Sequence, residues 1–340
     1  MAYQKIINDP LHGFITINDP LIFQLIEHPY FQRLRRIKQL GMTDIVYPGA
    51  NHSRFHHALG AMHLMGKAIN VLKTKDVEIS DDESQAVLVA ILLHDIGHGP
   101  FSHTLENTLL PLNHEDISIM LMEEINAEMH GALSMAINIF KNTYPKKFLH
   151  QLVSGQLDMD RLDYLTRDSF HTGVSEGIVG LERIIQMLNV REDSLVIDEK
   201  GIYSIEKFIV ARRLMYWQVY LHKTTLAADS MLLNILKRII EFPLSLTNVA
   251  VSDHLKYFLL KQYKTDKLGT SDIAHFVALD DHDIMSLIKA LTQNSDPILS
   301  YLSQSILSRK LFKIQMSKAQ VGEDKVREIE ENLIKNFPFL

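Results

Sequence analysis

The 340-residue chain contains no cysteine, which excludes a disulfide framework and any thiolate metal centre. A metal bound here has to sit on nitrogen and oxygen. No apolar stretch approaches the roughly 18 uncharged residues that a membrane-spanning helix needs, so no membrane partner is expected. There is no excess of basic residues either. With 35 Lys and Arg against 41 Asp and Glu the net charge is −6, which argues against a general attraction to nucleic acid or anionic lipid. No internal repeat or Gly/Ser linker stands out, and the opening MAYQKIINDP is neither a secretory signal nor an Arg-rich transit segment. A cytoplasmic location is therefore expected. Apolar residues make up 46% of the chain, enough for a substantial core.

Histidine is abundant. Of 17 in the chain, His52, His56, His57, His63, His94, His98, His103 and His114 fall within residues 52–114, less than a fifth of the length, which points to a shared site. The stretch ILLHDIGHGPFSH (91–103) runs an aliphatic helix directly into ionisable side chains. Taken alone, His94 and Asp95 are compatible with a hydrogen-bonded core histidine and a capping acid. An Asp at a helix C-terminus, however, opposes the macrodipole, which makes capping a poor explanation.

The apolar periodicity is mostly helical. Helices are expected over 20–27, 29–39, 53–74, 82–95, 114–127, 131–140, 146–154, 158–168, 180–189, 206–238, 250–261, 283–294 and 319–335. The start, QKIINDPLHGFITIND, reads as a β-hairpin, and 190–206 as a second hairpin turning at Glu199–Gly201. The expected organisation is a helical body over 1–240 and a helical C-terminal region over 241–340. Asp160, Asp163, Tyr164, Arg167 and Asp168 share one arc of a helix, a pattern equally compatible with a solvated face.

Seven motifs in order, NDPLHG, FQRLRRIKQLG, PGANHSRFHHALG, HDIGHGPFSH, NHE, DMDRLDYLTRD and YLHK, resemble those of the HD-domain deoxynucleoside triphosphate triphosphohydrolases. The resemblance covers much of residues 4–225. It implies an all-α HD-domain metallohydrolase fold with short hairpins, and metal ligation by His57, His94, Asp95 and Asp160. Two imidazoles and two carboxylates suit Mn²⁺, Fe²⁺, Ni²⁺ or Zn²⁺, with Mg²⁺ accompanying the substrate phosphates. His56, one helix step from His57, is read as structural. A proton for the leaving oxygen is expected from His98, His103 or His114, the last followed by Glu115 as in the family's His-Glu pair; a carboxylate beside an imidazole raises its pKa and fixes its tautomer.

The same resemblance assigns Gln39 and Asp168 to the sugar, Arg54 and Lys223 to phosphates, and Tyr164 and Tyr220 to the sugar pocket. Arg212, Tyr216, Tyr220 and Lys223 follow i, i+4, i+8, i+11, one helical face that suits a base and a polyanion, or equally a packing face with snorkelling ends. Tyr216 stands where the family has a histidine. Lys5, Asn8, Glu27, Gln32 and Arg35 match positions that bind an activating guanine nucleotide in vertebrate members, with Glu27 replacing an aspartate; a solvated basic helix face is the rival reading. Hydrolysis of a dNTP to deoxynucleoside and triphosphate by a homo-oligomer is the expectation. A phosphatase or phosphodiesterase for another metabolite, or a nucleotide-sensing regulator, is the alternative.

Overall fold

A computed structural model describes residues 4–106, 108–110, 112–261, 269–314 and 321–336, with the side chains of His103 and Asn336 outside the described set. The elements are β1 (Lys5–Asp9), β2 (Gly13–Ile17), α1 (Pro20–Glu27), α2 (Pro29–Gln32), α3 (Arg54–Thr74), α4 (Asp81–Leu93), α5 (His114–Glu128), α6 (Ser134–Phe140), α7 (Lys147–Val153), α8 (Met159–Thr172) and α9 (Leu181–Gln186). They continue with β3 (Leu188–Arg191), β4 (Ser194–Ile197), α10 (Ile202–Met215), α11 (Lys223–Glu241), α12 (Asp253–Leu260), α13 (Thr270–Phe276), α14 (Asp281–Leu291), α15 (Pro297–Leu307) and α16 (Glu323–Asn336). The fold is all-α with two small antiparallel hairpins, β1 paired with β2 and β3 with β4, as the sequence led us to expect.

Two compact units divide the chain: Met1–Leu221 with Tyr263–Asp281, and His222–Gln262 with His282–Leu340. Residue 240, the expected boundary, falls at the end of α11 within the second unit. In the first unit α3 is the central helix, packed on α4 and α8. Ala58, Leu59, Ala61, Leu64, Met65 and Ala68 are all buried, as in a helix covered on every side. It starts at Ser53, whose side chain and that of His56 form a reciprocal cap, so His56 serves the helix end. α4 starts on the same device, Ser80 with Glu83, and its acidic first turn Asp81–Glu83 favours the positive end of the helix dipole.

Two glycines set how closely the site's helices approach. A Cβ on Gly60 of α3 would collide with Asp163 and Arg167 of α8. One on Gly97 would collide with the backbone of His114 and Ser118 at the start of α5. Gly97 N donates to Ser118 Oγ (2.9 Å), which donates to His94 O (2.8 Å), so the HD turn is bolted to α5.

Several local expectations need correction. The second hairpin turns at Glu192 and Asp193, both at positive φ (50° and 58°), the geometry of a tight two-residue turn. Glu199–Gly201 is instead a 3-10 turn leading into α10. Helix 29–39 is a single turn followed by a 3-10 turn over Arg33–Arg36. The long helix expected over 206–238 breaks: α10 ends in a π-turn over Tyr216–Tyr220, and an extended His222 caps a new helix at Lys223. The i, i+4, i+8, i+11 face therefore does not continue to Lys223. α13 and α15 had no counterpart in the expected pattern. In the second unit Met231, Leu232, Ile235 and Leu236 of α11 and Leu299, Leu302 and Ile306 of α15 are buried, and Arg238 Nε bonds Asp296 Oδ2 (2.9 Å).

Candidate metal and substrate site

His57 enters from the second turn of α3, His94 and Asp95 from the end of α4, and Asp160 from the first turn of α8. His57 Nε2 lies 3.0 Å from Asp160 Oδ1, 3.3 Å from His94 Nε2 and 3.7 Å from Asp95 Oδ2. His94 Nε2 lies 3.3 Å from Asp95 Oδ1 and 3.4 Å from Asp160 Oδ1. The opposite ring nitrogens are committed: His57 Nδ1 donates to Asp163 Oδ2 (2.8 Å) and His94 Nδ1 to Ile91 O (2.6 Å). Both acceptors lack hydrogens, so both rings turn Nε2 toward the carboxylates. Two such nitrogens face to face need positive charge between them.

The electrostatics agree. Burial disfavours an imidazolium at His57, yet hydrogen bonds to Asp160 and Asp163, and their charges, raise its pKa to about 10. Burial also opposes ionisation of Asp160, but His57 and His94 hold its carboxyl well below the usual range. The donor set fits a divalent cation, which takes the place of that proton. Ligand atoms of His57, His94 and Asp160 lie within 4.8 Å of one another, and the Asp160 side chain, 29% exposed, leaves the cluster open on one side.

Asp163 is the buried keystone behind these candidate ligands. Besides His57 it bonds His12 Nε2 (2.6 Å) and Arg167 Nε (2.8 Å), and Arg167 NH1 reaches Asp9 (2.8 Å). Burial would raise its pKa, but the Arg167 charge and the bonds from His12 and His57 hold it well below the carboxylate range. The first hairpin thus reaches the centre through Asp9 and His12 of NDPLHG. A carboxylate on the far nitrogen of a metal-ligating imidazole fixes its tautomer and raises its basicity.

A cavity of about 380 Å³ opens beside the cluster, lined by Gln39, Leu40, Arg54, Asp95, His98, His114, Asp160, Tyr164, Asp168, Tyr216 and Tyr220. Most of the expected catalytic, metal and substrate residues, the activator positions aside, thus line it or, as His57 and His94 do, adjoin it through Asp95 and Asp160. Asp168 is fixed from two sides, by His52 Nε2 (2.8 Å) and by Tyr220 OH, which donates to it (2.7 Å). Tyr216 meets Tyr220 edge to face at 5.0 Å, and Arg212 lies over the Tyr216 ring at 5.6 Å. Arg54 Nε donates to Ser102 Oγ (2.7 Å), and its NH1 pairs with Asp95. The rings of His98 and His114 stack at 3.9 Å, with His98 Nε2 3.3 Å from Asp95. Burial and the Arg54 charge hold His98 well below the usual imidazole range.

Other expected residues are placed differently. The carboxylate on the His114 ring is Glu106, 2.8 Å from Nδ1. Glu115 is exposed in the first turn of α5, where its charge suits the helix dipole. His103 lies in the 3-10 turn Ser102–Thr104, its side chain outside the described residues. Lys223 opens α11 in the second unit. Of the five activator positions, Gln32 accepts from Arg35 Nε (2.8 Å), whose guanidinium lies 3.6 Å over Phe55. Lys5, Asn8 and Glu27 are exposed, and among the described residues no hydrogen bond or ion pair joins them to that pair.

Comparison with known proteins fits this geometry. Residues 54–168 match the HD domain and residues 179–260 the HD associated region. An uncharacterized protein of Bacillus subtilis, YwfO, is 36% identical over 319 residues, 92% of this chain and 72% of that one. The chain belongs to the HD-domain phosphohydrolase family. The crystal structure of a phosphohydrolase from Bacteroides thetaiotaomicron is similar to this HD-domain chain with a TM-score of 0.95 and 51% identity, covering 98% of this chain and 84% of that one. A Dictyostelium discoideum protein named deoxynucleoside triphosphate triphosphohydrolase SAMHD1 homolog is 29% identical over 355 residues, 98% of this chain but 64% of its own length.

Sequence reasoning about this HD-domain chain missed Glu106 and gave no individual role to His52, one of the clustered histidines, or to Asp9 and His12 of NDPLHG. No helical spacing ties them to the ligands, because each arrives from a loop or hairpin distant in sequence. Asp163 did carry a signal: it stands one turn after Asp160 on the same face of α8, opposite Gly60, the position where α3 lets it approach.

Proposed function

We propose that this HD phosphohydrolase hydrolyses a deoxynucleoside triphosphate to the deoxynucleoside and inorganic triphosphate. The observation that supports this most is the single cavity that joins the His57–His94–Asp95–Asp160 cluster to the Gln39, Asp168 and Tyr220 wall; its volume suits a nucleotide. The names of the SAMHD1 relatives point the same way. The four ligands suit Mn²⁺, Fe²⁺, Ni²⁺ or Zn²⁺, with Mg²⁺ on the substrate phosphates. When bound there, a divalent ion supplies Lewis-acid chemistry, acidifying water and neutralising charge on a phosphoryl oxygen.

The chain's own residues account for the remaining steps. Water adds to the α-phosphorus and the bond to the 5′ oxygen breaks, so the water oxygen stays with the triphosphate and the 5′ oxygen needs a proton. In this reading His114, whose Nδ1 lies 2.8 Å from Glu106 Oε1, carries it. Arg54 offers positive charge to the phosphates, and Asp168, held by His52 and Tyr220, accepts a hydrogen bond from the sugar. A nucleotide activator at the Lys5–Arg35 positions and self-association belong to the same reading. Tyr203, Ile209 and Val210 of α10 and Trp217 of the π-turn after it are exposed, apolar side chains of the kind that a second copy covers.

His114→Ala is expected to slow turnover by about 10²–10⁴-fold with metal content and KM largely kept, and Glu106→Gln less. Steady-state rates with elemental analysis check this; a change in KM alone makes His114 a binding residue. The sugar wall gives the test of substrate class. The wild type is expected to hydrolyse dATP far better than ATP, and Tyr220→Ala to lose most of a discrimination of about 10²-fold, the scale on which a pocket rejects one added hydroxyl. Tyr220→Phe, which keeps the ring, is expected to keep most of it. Equal rates on dATP and ATP in the wild type would defeat the deoxynucleotide reading.

A further inference from the structure

The stretch 276–281 lies outside both matched regions, yet it grips the loops that carry the site. Leu279 O accepts from Arg33 NH1 (3.3 Å), and the same guanidinium donates through NH2 to Ile96 O (2.8 Å) beside the HD pair and lies 4.9 Å over the Phe276 ring. Asp280 pairs with Arg36. Asp281, 5% exposed, accepts two backbone amides from segments far apart in sequence: Lys38 N at Oδ2 (2.8 Å) and Phe101 N at Oδ1 (2.7 Å).

Both bonded residues adjoin the site. Lys38 precedes Gln39. Phe101 precedes Ser102, and both take positive φ (53° and 51°), a conformation that costs non-glycine residues free energy and persists only where the surroundings impose it. In that conformation Ser102 Oγ donates to Lys38 O (3.1 Å) and accepts from Arg54 Nε. Burial pushes the Asp281 carboxyl up to about 6, so its placement opposes ionisation, and the two amides are what hold it.

We propose that Asp281 is a positioning residue of this site: its carboxylate ties the 37–39 and 99–102 segments together, imposes the strained Phe101–Ser102 backbone, and through Ser102 fixes the orientation of the Arg54 guanidinium at the cavity wall. Without it, Phe101 and Ser102 relax to negative φ, Ser102 leaves Arg54, and the guanidinium, which Ser102 and Asp95 now fix from two sides, is held by Asp95 alone. The role rests on the reading of Arg54 as a phosphate ligand, whereas the clamp itself does not.

The test compares Asp281→Ala, Asp281→Asn and Asp280→Asn with the wild type in three measurements. Amide hydrogen exchange reads the clamp without any substrate. Asp281→Ala should raise exchange at Lys38 and across Phe101–Ser102, and Asp281→Asn, with one acceptor oxygen for two amides, should do so less. With dATP, Asp281→Ala should raise KM about tenfold or more while metal content and the rate on bis-p-nitrophenyl phosphate, which carries no polyphosphate, stay within about twofold. Asp280→Asn should leave all three near wild type. Unchanged exchange at both segments would overturn the clamp. Increased exchange with an unchanged KM, or a loss on dATP matched by equal losses of metal and of the simple diester reaction, would overturn the positioning role. A wild type inert on dATP would instead defeat the substrate reading, with the exchange data still deciding the clamp.

Discussion

Asp160→Ala is expected to empty the metal site and to lower phosphohydrolase activity by about 10³-fold or more, since the contribution at stake is several kcal/mol at about 1.4 kcal/mol per tenfold. Of the four candidate ligands, Asp160 is the one whose loss costs the fold least. It stands at the open edge of the cluster, 29% exposed, and its partners His57 and His94 keep their Nδ1 bonds to Asp163 and to Ile91 O. The variant should therefore melt near the metal-free wild type. Elemental analysis of both proteins after metal loading, beside their rates on one substrate, decides the matter. Full occupancy with a lost rate would make Asp160 something other than a ligand, and a full rate would remove it from the site.

Asp163→Ala is expected to hurt twice. Truncation leaves Arg167, His12 and His57 Nδ1 without their shared acceptor in a buried place, and breaking a buried ion pair costs about 3–5 kcal/mol. Arg167 keeps Asp9, which limits the damage on that side. Because Asp163 also sets the His57 tautomer, metal affinity should fall by about 10–100-fold. Asp163→Asn separates the effects: it keeps the volume and an acceptor, so most of the stability should return while affinity stays reduced. Denaturant unfolding and a metal-chelator competition read the two losses independently. A variant as stable and as tight as wild type would show that the network is ornamental.

The candidate ligands were named from the sequence through the resemblance of its motifs to the HD-domain enzymes; helical periodicity alone left the His94–Asp95 pair and the arc from Asp160 to Asp168 open to structural readings. What supports them was not legible, for a physical reason. Glu106 reaches His114 from an irregular segment, and His12 reaches Asp163 from a hairpin, so neither contact follows from a period. The same limit explains the broken helix before Lys223. A π-turn adds a residue to the turn without changing composition, and Tyr216–Tyr220 is as apolar and aromatic as a continuous helix would be. The misplaced hairpin turn followed from weighting Gly201 over Glu192–Asp193, although acidic residues too can adopt positive φ in tight turns. Asp281 lay furthest from view, since only the folded chain brings 276–281 back to the 37–39 and 99–102 segments beside the cavity.

The product of the reaction tests the proposed chemistry most directly. Protein loaded with Mn²⁺ is incubated with each dNTP, alone and with GTP or dGTP, and the products are separated by anion-exchange chromatography. Equimolar deoxynucleoside and inorganic triphosphate are the expected result, with any GTP-dependent increase assigning an activator role. Orthophosphate with a deoxynucleoside diphosphate, or nucleotide binding with no turnover at full metal occupancy, would contradict it.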